Sequence, residues 1–417
     1  MNLIKTPVKG MPEYGPREMQ LREYALRKIK DTYGKYGFSL IETPALEHIE
    51  NLTGKQGGEN EQLIFKVMKR GEKLERETDP AKMCDCGLRY DLTMPLSRFY
   101  ANHCNDLPMP FKALQIGNSW RADRPQKGRF RSFVQCDIEI IGDSTNLAEI
   151  ELVSATMNML SELGLGSCTV RINDRRILKA MADSCGFPAD KMDNVLIALD
   201  KLDKIGIDGV KKELLDLDLD EKSVDTYCGY FNNMSSEFCA DFFQKCASSI
   251  DMDPALIENL DTIIRCVRET VTSGGKIVFD PTLVRGMSYY TGPIFEAGLD
   301  SYGLSIAGGG RYDEMIGKFS GVPTPACGFS IGFERIIAIM QENNVVKLEE
   351  GRKIAYLIAK DVKADKIQQV LRKATAYRRE GICVMIAPRK KNAGKQKNML
   401  EQLGYGEIVD IYNDTEI

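Results

Sequence analysis

The chain of 417 residues has only two histidines, His48 and His103, and a single tryptophan. A His-centred triad or a multi-histidine metal centre therefore has almost no raw material, and any catalysis must rest on other groups. No apolar run approaches the roughly 18 residues of a membrane span, and Met1 to Lys5 lacks the basic and apolar regions of a secretion signal. The expectation is a cytoplasmic protein with no membrane partner. Twelve cysteines are present, standing singly except for the pair Cys84 and Cys86, unlike the dense framework of a disulfide-stapled secreted domain. Reduced thiols are expected. With His103 and Cys104 nearby, zinc on Cys84 and Cys86 is conceivable, but C-x-C is not the usual C-x2-C ligand pair. No metal held by the protein alone is expected.

What is present is an ordinary globular balance, long enough at about 100–200 residues per domain for two to four domains. Lys and Arg number 56 against 60 Asp and Glu, yet residues 352–397 hold 14 basic and 3 acidic residues, while residues 211–270 hold 13 acidic and 6 basic. The first segment can attract a polyanion and the second would repel one.

Pro16 at a helix start, apolar residues at three- and four-residue spacing and Gly34 near the end predict a long amphipathic helix. Phe38 to Pro44 reads as a strand stopped by proline. Phe111 to Arg121 and Phe130 to Gly142 read as two strands around a polar loop, a long hairpin. Residues 146–162 and roughly 173–272 have helical periodicity. Strand character returns at Lys276 to Phe279, Pro293 to Ala297 and Ala326 to Ile331, before an apolar helix from Phe333 to about Gln341. From Lys353 a β-α-β-α pattern marks a small α/β domain.

Period-two alternation in the second hairpin strand places Arg129, Arg131, Gln135, Asp137 and Glu139 on one face and Phe130, Val134, Cys136, Ile138 and Ile140 on the other. A solvated outer face is the bland reading. Against it, the preceding loop from Trp120 to Arg129 gathers Arg121, Arg124, Lys127 and Arg129 with a single acid, Asp123, a composition suited to polyphosphate. Three further clusters have similar chemistry. Leu283 to Tyr290 joins Arg285 to paired phenols. Gly308 to Asp313 reads as a flexible glycine turn that lets backbone approach a ligand. Gly328 to Arg335 places an arginine in the first turn of an apolar helix.

In this order the clusters resemble the class II aminoacyl-tRNA synthetases, and specifically the histidyl-tRNA synthetase family. Phe38 to Pro44 is similar to motif 1, Trp120 to Glu139 to motif 2 and Gly328 to Arg335 to motif 3. Leu283 to Tyr290 and Gly309 to Asp313 resemble the two histidine-binding signatures. The resemblance implies an α+β fold: an antiparallel-sheet catalytic domain with a helical insertion, followed by a small α/β anticodon-binding domain, and a homodimer formed through motif 1. It implies activation of histidine with ATP to histidyl-adenylate and pyrophosphate, then transfer to tRNA(His), with Mg2+ carried on the nucleotide phosphates.

By match to the motifs, Arg121 and Arg285 are the expected catalytic cations at the α-phosphate, with Asp123, Arg129 and Arg335 also at ATP. Asp91 and Thr93 are expected at the α-amino group of histidine, Gln135 beside its carboxylate, and Glu139, Tyr290 and Tyr312 at the imidazole. Lys390, Lys391 and Lys395 are expected to meet tRNA. The implied domains are residues 1–172 and 273–341 for the catalytic domain, 173–272 for the insertion, 342–352 for a linker and 353–417 for an anticodon-binding domain shorter than is usual in the family. Asp123 stands where the family has glutamate, and Ser288 where it has aspartate. The alternative on the same framework is a catalytically inert synthetase-like protein, either a regulatory subunit of ATP phosphoribosyltransferase or a tRNA sensor. A ligase with a non-tRNA acceptor would have the same catalytic site.

Overall fold

A computed structural model describes residues 3–53, 59–79, 82–126, 128–232, 236–246, 250–271, 274–284, 289–299, 302–343 and 351–416. The chain divides into two compact units, one of residues 1–13 and 25–345, the other of residues 14–24 and 346–417. Its strands are β1 (Ser39–Ile41), β2 (Leu46–His48), β3 (Lys66–Met68), β4 (Cys84–Leu88), β5 (Phe111–Trp120), β6 (Ser132–Ile141), β7 (Cys168–Asp174), β8 (Lys276–Phe279), β9 (Pro293–Leu299), β10 (Leu304–Arg311), β11 (Ala326–Gly332), β12 (Lys353–Ile358), β13 (Cys383–Pro388) and β14 (Glu407–Ile411).

The larger unit is organised by an eight-stranded sheet in the order β1-β5-β6-β11-β10-β9-β7-β8. The outermost pairs, β1 with β5 and β7 with β8, are parallel, and every pair between them is antiparallel. One face packs on helices. Cys136, Ile138 and Ile140 of β6 are buried, and the largely buried helix Leu147–Glu162 lies on β6, β7 and β11 and against the helix Pro254–Thr270. In the helix Pro16–Lys35, Ala25, Ile29 and Tyr33 recur every four residues and are fully buried, as a helical apolar stripe requires. A separate three-stranded sheet orders β2-β4-β3. Helices then occupy most of the chain from Arg175 to Thr270.

Beyond the small sheet β2-β4-β3, which no local pattern predicted, two strands of the large sheet differ from the sequence reading. Gly308, Gly309 and Gly310 lie inside β10, between β9 and β11, and not in a turn. Glycine is a poor strand former by itself, so a local reading sends it to a turn. Here close packing demands it, because a Cβ on Gly309 would sit 2.0 Å from the carbonyl oxygen of Gly328. The strand β7 was also not anticipated, since its pairing with β8 and β9 joins segments more than a hundred residues apart.

The smaller unit carries a parallel sheet, β13-β12-β14, with the helices Ala364–Arg379 and Ala393–Gln402. Ile354 and Tyr356 of β12 pack with Val370 and Ala374 of the first helix, while Ala355 and Leu357 pack with Leu400 of the second. Alternate side chains thus bury opposite faces, the arrangement of a parallel sheet covered on both sides. Lys390, Lys391 and Lys395 are exposed where β13 leads into the second helix, and none has an ion-pair partner among the described residues, whereas Lys397 is held 2.8 Å from Asp410. No helix among the described residues is long and apolar enough to cross a membrane.

Candidate active site

The polar face of β6 is buried. Gln135, Asp137 and Glu139 are at most 8% exposed, so the bland reading of a solvated face fails. They form the floor of a cavity of about 350 Å³, together with residues of β10, β11, the hairpin loop, Asp91, Thr93 and the helix Phe333–Glu342. Every side chain that the sequence reading assigned to histidine or ATP lines this cavity except Arg285, which lies outside the described residues. So do Gly286 to Ser288.

Register sets the floor. Antiparallel pairing puts Gly328, Ser330 and Gly332 of β11 directly opposite Glu139, Asp137 and Gln135 of β6. Opposed side chains in such a pair are the closest neighbours across a sheet. Gly328 is required there, because a Cβ would lie 1.6 Å from a Glu139 carboxylate oxygen. Glu139 cannot swing aside without loss: Oε2 accepts from the Tyr312 hydroxyl at 2.5 Å and Oε1 from the Thr93 hydroxyl at 3.2 Å. Gly328→Ala is therefore expected to cost about 1–3 kcal/mol of stability, as overpacking does, read as a lower denaturant midpoint at unchanged slope. An unchanged midpoint would show that the pocket floor yields.

Tyr312 is itself anchored by its neighbour. Arg311 makes a buried two-pronged bridge to Glu149 at 2.6 and 2.8 Å and also donates to the carbonyls of Asp143 and Thr145. The arginine of the glycine-rich signature is thus a structural clamp facing away from the cavity. Tyr289 and Tyr290 lie on the same side, their rings 4.7 Å apart and tilted by 59°, with the Tyr289 ring 5.8 Å from that of Tyr312.

The carboxyl-rich end is electrostatically unusual. Burial pushes Glu139 up to about 8 and Asp137 up to about 7, with the neighbouring acids adding to the effect and hydrogen bonds opposing it. Burial also raises Asp91, against the Met94 amide donating to its carboxylate at 3.0 Å and the positive charge of Arg121. Three acids sharing one apolar-walled recess would gain from a cationic group entering it.

The other end of β6 is cationic. The guanidinium of Arg121 lies 4.2 Å over the Tyr90 ring and 5.2 Å from that of Phe133, with Nε donating to the Tyr90 carbonyl at 3.1 Å. The stack holds the charge in place before any ligand arrives. Arg129 grips Asp123 with two hydrogen bonds at 3.0 and 2.9 Å, and Arg131 donates to the Asp123 carbonyl at 3.0 Å. Asp123 therefore organises the loop as well as lining the cavity. Arg335, in the first turn of its helix, donates to the Ser305 carbonyl at 2.5 Å. Asp137, Ser330 and Tyr289 were given no role from sequence. Asp137 was visible in the alternation, but Ser330 could be linked to it only through a register spanning 193 residues.

The eleven cysteines whose side chains the structure describes are free thiols. Among those residues, no group of three His, Cys, Asp or Glu side chains gathers where it could hold a metal ion.

The sequence and the fold have close relatives. The histidyl-tRNA synthetase family model matches residues 10–336. Histidine--tRNA ligase of Leifsonia xyli is 44% identical over 81% of this chain and 80% of its own length, and that of Bacteroides fragilis 35% identical over 97% and 89%. The crystal structure of histidyl-tRNA synthetase from a Nostoc species superposes with a TM-score of 0.77 at 26% identity, covering 97% of this chain and 90% of that one. A Bacillus halodurans structure described as an ATP phosphoribosyltransferase regulatory subunit/histidyl-tRNA synthetase shares the fold, with a TM-score of 0.79 at 21% identity over 98% and 99% of the two chains. With the signatures on one cavity, a family match across most of the chain and relatives above the level at which fold and sequence part company, the chain belongs to the histidyl-tRNA synthetase family.

Proposed function

We propose that the protein activates histidine with ATP to form histidyl-adenylate and pyrophosphate, and then transfers the histidyl group to tRNA(His). The observation that carries this reading is the polarity of one cavity along β6, with acids and phenols around Glu139 and arginines towards the hairpin loop. Histidine brings an ammonium and an imidazole to the first region, and its carboxylate, attacking the α-phosphorus of ATP, lies towards the second. Residues 1–172 and 273–341 would form the catalytic domain, 173–272 the insertion, 342–352 the linker and 353–417 the anticodon-binding domain.

Glu139 and Tyr312 read the imidazole, the carboxylate accepting from a ring N–H and the phenol serving the other edge; Tyr290 closes the same side. Asp91 and Thr93 take the α-ammonium. For Gln135 the geometry favours a revised assignment. Its Nε2 is used by Asp137 and Ser330, and its buried Oε1 has no partner among the described residues. An open acceptor suits the ammonium better than the carboxylate expected from sequence. Arg121 meets the charge developing at the α-phosphate, Arg335 and Arg129 the remaining phosphates, and Arg285 keeps its family role at the α-phosphate. Little proton transfer is needed in this step, so positioning and preorganised cations supply the catalysis. Mg2+ would arrive on the phosphates of ATP and neutralise part of their charge, while the arginines would hold the phosphates and not the metal. Homodimerisation and a cytoplasmic location belong to the same reading.

The inert alternative is disfavoured by the same cavity, since a protein that only senses or regulates has no need of both the imidazole-reading pair and the phosphate-facing arginines. Amino-acid-dependent exchange of labelled pyrophosphate into ATP tests the proposal. Exchange with histidine alone among the twenty amino acids is expected, and its absence from folded, ATP-binding protein would favour the inert alternative.

The exposed lysines define a separate test. Lys390→Ala with Lys391→Ala is expected to weaken tRNA binding and to flatten the slope of log affinity against log salt by about 1.5–2, the loss of two phosphate contacts. Histidine-dependent exchange should not change. An unaltered slope would remove this patch from the tRNA path.

A further inference from the structure

The side chains of Gln135, Asp137 and Ser330 close a small ring of hydrogen bonds under the cavity. Ser330 Oγ donates to Asp137 Oδ1 at 2.5 Å, and Gln135 Nε2 donates to Asp137 Oδ2 at 3.3 Å and to Ser330 Oγ at 3.2 Å. Ser330 faces Asp137 across the β6–β11 pair, and Gln135 lies two residues along on the same face of β6. Asp137 is 1% exposed and Gln135 8%, with Ser330 half-buried, so solvent competes little for these bonds. The ring consumes the N–H end of the carboxamide and leaves Oε1 buried and unpartnered among the described residues. An ionised carboxylate only accepts, and a serine hydroxyl that already donates to it can only accept from Gln135. While Asp137 is ionised, the ring therefore permits one orientation of the amide.

We infer that Asp137 and Ser330 are positioning residues which hold the Gln135 carboxamide with its oxygen towards the α-ammonium of histidine, so that the site selects an amino acid over its des-amino analogue. The inference rests on the proposed histidine activation. It adds a pair of residues that never need touch the substrate. Asn at position 137 would keep the shape but offer Gln135 an N–H as readily as a carbonyl, and the amide could then turn its own N–H groups towards the ammonium.

The test uses full-length protein and histidine-dependent pyrophosphate exchange. Asp137→Asn is expected to raise KM for histidine about tenfold, the scale of one charge-assisted hydrogen bond, with a smaller change in kcat and none in KM for ATP. Ser330→Ala, the milder variant, should move the same parameters in the same direction, and covers the case in which Asp137→Asn fails to fold. Inhibition by the analogue with hydrogen in place of the α-amino group should be unchanged in both variants. In a Gln135→Ala background, a second substitution at 137 or 330 should add less than twofold, because the residue it positions is gone. Additive losses in that background would mean that Asp137 acts on the ammonium directly, and equal losses for histidine and the analogue would mean a merely structural role. Either outcome overturns the inference. Unmutated protein that gives no histidine-dependent exchange would instead overturn the reading on which it rests.

Discussion

Arg121→Ala is expected to lower the rate of histidyl-adenylate formation about 10²–10³-fold, the loss seen when one preorganised electrostatic stabiliser is removed. The expectation rests on placement. Tyr90 and Phe133 flank the guanidinium and the Tyr90 carbonyl takes its Nε, leaving the remaining N–H donors at the cavity. A cation already held in this way needs no reorganisation as charge grows on the α-phosphate. Arg121→Lys should recover only a small part of the rate, because an ammonium is a point charge without the planar stack or the rigid donor fork. Single-turnover measurement of adenylate with saturating histidine and ATP checks this. If both variants lose only binding of ATP, with the chemical step intact, Arg121 holds the ground state and not the transition state.

The second large effect belongs to Glu139. Glu139→Gln should lower kcat/KM for histidine by about 10–100-fold, since a hydrogen bond to a charged acceptor is replaced by one to a neutral amide. The pH dependence follows from the buried acids. Glu139 rises to about 8 from an ordinary 4.5, chiefly through burial, with Asp137 and Asp91 adding repulsion and Tyr312 and Thr93 opposing it by hydrogen bonding. Its ionised, accepting form therefore accumulates as pH climbs through about 8, and kcat/KM for histidine should still be rising between pH 7 and 8.5. The imidazole of free histidine titrates near 6.5, so a rise from the ligand alone would be finished earlier. In Glu139→Gln the upper part of the rise should disappear. A profile that is the same in both proteins would assign it to another group.

Stability should move the opposite way. A carboxyl raised in the folded state favours folding while it stays protonated. That contribution is fully present below its unfolded value near 4.5 and is lost as pH rises through about 8. The unliganded protein should accordingly melt at a lower temperature at pH 8.5 than at pH 5.5, and Glu139→Gln should show a smaller drop across that interval. Under the proposed role of Glu139, recognition of the imidazole and stability of the empty pocket are expected to oppose each other at one residue.

Much of this was legible in the amino-acid sequence, for reasons that are local. Side-chain alternation along β6 is a property of any extended strand, so it was enough to place Gln135, Asp137 and Glu139 on a common face. The helical spacing of Ala25, Ile29 and Tyr33, the helical periodicity at Leu147–Glu162 and the order of the motifs were readable in the same way. The same alternation could not say whether that face met water or a cavity. This depended on the hairpin loop and on β10 and β11 closing over it, and those two strands lie far away in the chain. The glycines at 308 to 310 show the reverse error, since their local preference for turns was overridden by the crowding of β9 and β11 around a central strand. Residue identity and local periodicity determined which groups were available and which way they faced. The nonlocal register between β6 and β11 alone decided that Gly328 makes room for Glu139 and that Ser330 meets Asp137, because pairing across a sheet is set by the packing of whole strands and is written in no single stretch of sequence.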